Sequence, residues 1–111
     1  MLLPEFIARN YRVEYQRAMS RLALRPDDID RVVCHPGGAK VLEAIETALE
    51  LPTGRFAVER SVMRDFGNMS SPTVLFVLER VLADGFAGTA VLAALGPGFT
   101  ASFATLYVSD A

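Results

Sequence analysis

From Gly85 to Ser109 the chain carries no charged residue, and any fold it adopts must find cover for that stretch. The stretch is long enough to raise the question of a membrane span. Its punctuation argues otherwise. Gly85, Gly88, Gly96, Pro97 and Gly98 lie within it, together with Thr89, Thr100, Ser102 and Thr105. Gly96-Pro97-Gly98 divides it into two apolar runs of strand length, Thr89–Leu95 and Thr100–Val108, joined by a tight turn through Phe99. Two adjacent strands of a buried hairpin fit this pattern better than a membrane helix.

Upstream of the hairpin the pattern is mostly helical. Leu3, Ile7, Tyr11, Tyr15, Ala18 and Leu22 recur at steps of three and four, which predicts an amphipathic helix with Pro4 in its first turn. Arg25-Pro26 ends it, and Asp27, Asp28 and Asp30 form an acidic turn. Ile29 and then Arg31–His35 predict a short, mostly buried strand closed by Pro36-Gly37-Gly38. Val41, Leu42, Ile45, Ala48 and Leu49 are the apolar stripe of a second helix, which Leu51-Pro52-Thr53-Gly54 closes. The pattern from Arg55 to Asp65 is mixed, with a weak strand expected near Ser61–Arg64. A third helix has clear boundaries: Ser70 or Ser71 to cap it, Pro72 in its first turn, and Asp84-Gly85 as a stop. Its interior, Val74–Leu78, is apolar almost all round, which predicts burial on more than one side. The order is helix, strand, helix, weak strand, helix, strand, strand, an α/β arrangement with a mixed sheet and flanking helices.

Composition bounds the function. With 111 residues, 51% hydrophobic, and a mean hydropathy of +0.29, the chain has ample material for one core and none of the signature of disorder. Eleven basic against thirteen acidic residues leave a net charge of −2, which argues against nucleic acid or an anionic membrane as partner. One cysteine and one histidine support neither a disulfide framework nor a structural metal site. Met1-Leu2-Leu3-Pro4-Glu5 lacks the basic start of a signal peptide, and the lone thiol suits a reducing, cytoplasmic location.

Few residues can carry chemistry. His35 stands at the end of a strand and before a helix, where active-site groups of α/β sheets gather, although a strand-end histidine satisfied by a backbone carbonyl is an equal reading. Gly37 and Gly38 let the backbone approach a ligand closely. Asn68 lies in Phe66-Gly67-Asn68-Met69-Ser70-Ser71, where its amide can donate into a cleft or simply shape the turn. Gly96-Pro97-Gly98-Phe99-Thr100 leads into a strand, so it is a hairpin turn and not a phosphate loop. Cys34 precedes the histidine in a strand, points to the opposite face, and is read as a buried apolar residue.

Taken in order, three motifs carry a resemblance. His35-Pro36-Gly37-Gly38, then Phe66-Gly67-Asn68-Met69-Ser70-Ser71-Pro72-Thr73, then Gly96-Pro97-Gly98-Phe99-Thr100 together resemble the C-terminal domain of the type III polyketide synthases, the chalcone and stilbene synthase family. The likeness runs over nearly the whole chain. It implies a thiolase-like fold, of which residues 1–111 would be a truncated C-terminal half forming a single partial domain. It also implies decarboxylative condensation of malonyl-CoA onto a CoA-linked starter, with no cofactor. In that family a cysteine holds the growing acyl chain as a thioester. His35 matches the histidine that activates the thiolate and binds the thioester oxygen, and Asn68 the asparagine that stabilises the enolate oxygen. Gly96, Pro97 and Gly98 match the loop that shapes the cyclisation pocket. Ala94-Leu95 stands where many members have Gly-Phe, so the product does not carry over.

The resemblance leaves the nucleophile unsupplied. The family's cysteine lies in the N-terminal half, Cys34 adjoins the matched histidine and cannot replace it, and the basic residues that hold CoA phosphates are missing as well. The expectation is a chain that is inactive alone. Its partners would be the N-terminal half or a second copy, with acyl-CoA and malonyl-CoA as substrates of the whole enzyme. Two alternatives stand beside it: the C-terminal part of a ketoacyl-carrier-protein synthase of the thiolase superfamily, and a non-catalytic interaction module. A surplus of apolar residues, meant for missing contacts, predicts self-association.

Overall fold

The computed structural model describes residues 3–35, 37–52, 54–67, 72–96 and 100–109. Helices α1 (Leu3–Phe6) and α2 (Arg12–Arg21) are joined by a π-helical turn, Ile7–Tyr11, into one unbroken N-terminal helix. The expected stripe is its buried face: Ile7, Tyr11 and Ala18 are sequestered, while Leu22 at the end is exposed. A short 3-10 turn (Pro26–Asp28) leads to strand β1 (Arg31–Cys34) and helix α3 (Ala39–Ala48). Helices α4 (Ala57–Phe66) and α5 (Pro72–Ala83) follow, and strands β2 (Gly88–Gly96) and β3 (Thr100–Val108) close the chain.

The three strands form one mixed sheet in the order β1-β2-β3, β1 parallel to β2 and β2 antiparallel to β3. Side-chain alternation sorts the sheet into two faces. Val32, Cys34 and Ala93 pack with Ile7 and Tyr11 of the N-terminal helix and Val41, Leu42 and Ile45 of α3. Val33 and Ala90, on the reverse face, pack with Val62 of α4 and Val77 and Val81 of α5. Tyr11 and Tyr15 both meet Phe103 of β3 edge-on, with centroids 5.7 and 5.6 Å apart, and this seats the N-terminal helix on the sheet. Among the described residues no helix is long and apolar enough to cross a membrane, and the charge-free stretch makes strands.

Three expectations need correction. The weak strand near Ser61–Arg64 is part of α4: Val58, Val62 and Phe66 step by four, and Arg and Asp fill the outward positions, so the helical period prevails. Helix α5 is buried on one side only. Thr73, Val77 and Val81 face the sheet, whereas Leu75 and Leu82 are exposed and Phe76 is covered only in part, by Phe66 of α4. The hairpin is buried in β2 but β3 is an edge, with Tyr107 73% exposed. The helix cap expected at Ser70 or Ser71 and the turn through Pro97, Gly98 and Phe99 lie outside the described residues.

Two glycines are demanded by the backbone. Gly88 begins β2 at φ +124°, and a Cβ there would press on the carboxylate of Asp30, with Cγ at 2.8 Å. That carboxylate is fixed, because it accepts the Thr89 amide at 2.8 Å. Gly67 ends α4 at φ +72° while donating its amide to the Met63 carbonyl at 2.9 Å.

Candidate active site

His35 follows the last residue of β1 and is 8% exposed. Its amide donates to the Ala93 carbonyl of β2 at 2.8 Å, which extends the parallel ladder one step beyond the strand. Its own carbonyl accepts the Gly37 amide at 2.9 Å, a tight turn that takes the chain away from the sheet. Gly38, at φ +145°, then starts α3 and accepts the Leu42 amide at 3.0 Å. A side chain at Gly38 would strain the backbone, whereas a methyl group at Gly37 would only touch the imidazole and Val41 at 3.6 Å. The strand-end position expected for His35 is therefore where the structure places it. Asn68, Pro97 and Gly98 lie outside the described residues, and Gly96 ends β2. What the structure does fix is the approach to Asn68, since α4 ends at Gly67 directly before it.

Cys34 is a buried, free thiol beside the histidine, its Sγ 3.5 Å from the His35 carbonyl oxygen. Burial foremost, and then the charges of Glu59 and Glu46, push its pKa far above the ordinary thiol value. A thiol so held is not a nucleophile.

Sequence reasoning missed the polar groups beneath this corner. Glu59 of α4 is fully buried; Oε2 accepts the Cys34 amide at 3.0 Å and Oε1 accepts Arg31 Nη2 at 2.8 Å. Burial pushes its carboxyl upward, and the Arg31 charge and the Cys34 amide offset only part of that. Glu46 of α3 lies in the apolar stripe beside Ile45, 3% exposed. It takes a forked pair of hydrogen bonds from Arg60, at 2.9 and 2.7 Å, and accepts the Phe56 amide at 3.0 Å. The bonds from Arg60 hold it below the usual carboxylate range against the opposing effect of burial. Arg80 of α5 reaches back to Ser61 Oγ and Asp65 Oδ2, each at 2.9 Å, and lies over the Phe66 ring at 5.2 Å. A helical reading of α4 would have exposed the signal, because it places Glu59 and Val62 one turn apart on the inward face.

A strand-end histidine, a glycine-initiated helix, and a helix that stops at Gly67 before Asn68 agree with a match to the family model for chalcone and stilbene synthases, C-terminal domain, over residues 2–109. The chain belongs to the chalcone and stilbene synthase family. It is 40% identical over 109 residues to 1,3,6,8-tetrahydroxynaphthalene synthase of Streptomyces peucetius subsp. caesius, an alignment covering 94% of this chain and 28% of that protein. The crystal structure of PKS-I from the brown alga Ectocarpus siliculosus superposes with a TM-score of 0.81 at 32% identity, over 96% of this chain and 30% of that one. A point variant of CsyB superposes with a TM-score of 0.78 at 29% identity, over 96% and 31%. The chain thus spans under a third of the length of these relatives. Its fold is that of a type III polyketide synthase C-terminal domain, the mixed sheet with flanking helices of the thiolase-like class.

Proposed function

We propose that residues 1–111, as a single partial domain, supply His35 and Asn68 to a Cys-His-Asn site that condenses malonyl-CoA onto a CoA-linked starter. The observation that carries this reading is the family match over residues 2–109, with all three motifs in order. The nucleophilic cysteine belongs to the N-terminal part that the relatives possess. There it holds the acyl chain as a thioester. Malonyl decarboxylation breaks a carbon–carbon bond, releases carbon dioxide and leaves the electron pair as an enolate with charge on the thioester oxygen. An imidazole and an amide that donate to that oxygen lower the barrier by opposing the charge as it develops. The enolate carbon then attacks the acyl thioester, forms the new bond and expels the cysteine thiolate. The burial of His35 and the bonds to its amide and carbonyl support this role, since they fix the backbone from which the imidazole projects. Gly96, Pro97 and Gly98 shape the pocket in which the product cyclises. In the whole enzyme the chain pairs with its N-terminal half and with a second copy.

Radiolabelled malonyl-CoA tests the proposal. The chain alone yields no polyketide; joined to a cysteine-bearing N-terminal part it does, and His35→Ala or Asn68→Ala in the joined enzyme lowers turnover at least about a hundredfold. Robust turnover by the chain alone, or wild-type turnover by the joined His35→Ala enzyme, overturns it. Preference for malonyl-carrier-protein over malonyl-CoA would reassign the chain to the ketoacyl synthases.

A further inference from the structure

The condensing chemistry leaves Glu59 without a task, although it is a fully buried carboxylate next to the strand that bears the histidine. Resting on the reading of His35 as a condensing-site residue, we propose that Glu59 is a positioning residue that fixes the strand end from which His35 projects. Cys34 and His35 send their amides to opposite flanks of β1. The His35 amide is taken by Ala93 of β2 at 2.8 Å, and the Cys34 amide by Glu59 of α4 at 3.0 Å. Strand β1 is the edge of the described sheet, so a helix side chain supplies the acceptor that a neighbouring strand would otherwise provide. Arg31, at the other end of β1, binds the second carboxylate oxygen at 2.8 Å and stops the group from turning. The strand is thus clamped to α4 at both ends. Helix α4 ends at Phe66 with Gly67 as its C-cap, and Asn68 follows in sequence, so one carboxylate ties together the element that carries His35 and the one that precedes Asn68.

The chain has a single histidine, so imidazole cross peaks in a carbon–proton NMR spectrum are assigned without ambiguity. Glu59→Leu is expected to move those peaks by more than a linewidth or to double them, and Glu59→Gln, which keeps an acceptor for the Cys34 amide, to restore them. Met19→Ala, a core truncation against β2, is expected to lower the unfolding midpoint and leave them in place. Unmoved imidazole peaks in Glu59→Leu overturn the proposal. If that variant does not fold, Glu59→Asp, too short to reach both partners, is read the same way. In the joined enzyme Glu59→Asp lowers kcat about tenfold to a hundredfold with KM for malonyl-CoA unchanged, and an unchanged kcat counts against positioning. The peaks report where the imidazole sits whether or not it is catalytic. Full activity of joined His35→Ala therefore defeats the functional reading separately.

Discussion

Arg60 grips Glu46 with two terminal nitrogens, at 2.9 and 2.7 Å, and so locks α4 to α3. Because Arg60 holds the folded carboxyl below its unfolded value, the stabilisation is present above the unfolded carboxylate pKa of about 4.3 and is lost as pH falls through the folded one. Wild-type stability in urea should therefore drop on the acid side, and Glu46→Gln should flatten that limb. Near neutral pH the same variant should cost about 1–3 kcal/mol, since Arg60 keeps partial access to water.

Glu59 has the opposite sign. Its folded carboxyl is raised by burial, so its contribution is greatest below the unfolded value and declines as pH rises through the folded one. The stability advantage of wild type over Glu59→Gln should accordingly shrink as pH is raised from about 4. Glu59→Ala is a harsher change, because it strands the Arg31 charge and the Cys34 amide, and should cost about 3–5 kcal/mol. Urea midpoints across pH check both.

At the start of β2, Gly88→Ala should lose about 1–3 kcal/mol, from a positive φ and from pressure on Asp30. The two causes separate in a double-mutant cycle with Asp30→Ala. Removing the carboxylate relieves the contact but not the backbone strain, so the pair should lose less than the sum of the single changes.

On the outer face of α5, Leu75 is 61% exposed and Leu82 40%, while Phe76 stacks on Phe66 with centroids 5.3 Å apart. Light scattering should show the chain self-associating through this face. Leu75→Glu with Leu82→Glu should return a monomer with its unfolding midpoint nearly unchanged, since neither residue supports the core. A clean wild-type monomer would contradict the expectation.

Much of this was legible beforehand wherever one period dominated. The N-terminal helix, α3 and the two final strands follow from their apolar spacing. Helix α4 is less legible, because Ser61–Arg64 is too short for its period to declare itself apart from Val58 and Phe66. The single-sided burial of α5 was invisible, since an all-round apolar helix does not say how many neighbours it has. The strand-end position of His35 was legible from its junction. Glu59 and Glu46 were not, because a carboxylate in an apolar stripe looks like a surface residue until its arginine, 28 or 14 positions away, is brought beside it.

Cys34 has a use unrelated to catalysis. It is the chain's one thiol, 2% exposed, and burial holds it protonated. An alkylating reagent can reach it only when β1 parts from its helices, so the labelling rate times that opening without any added probe. At saturating reagent and rapid chemistry the rate becomes that of opening itself. An inert sulfur buried between β1 and its helices thus gives the molecule its own clock.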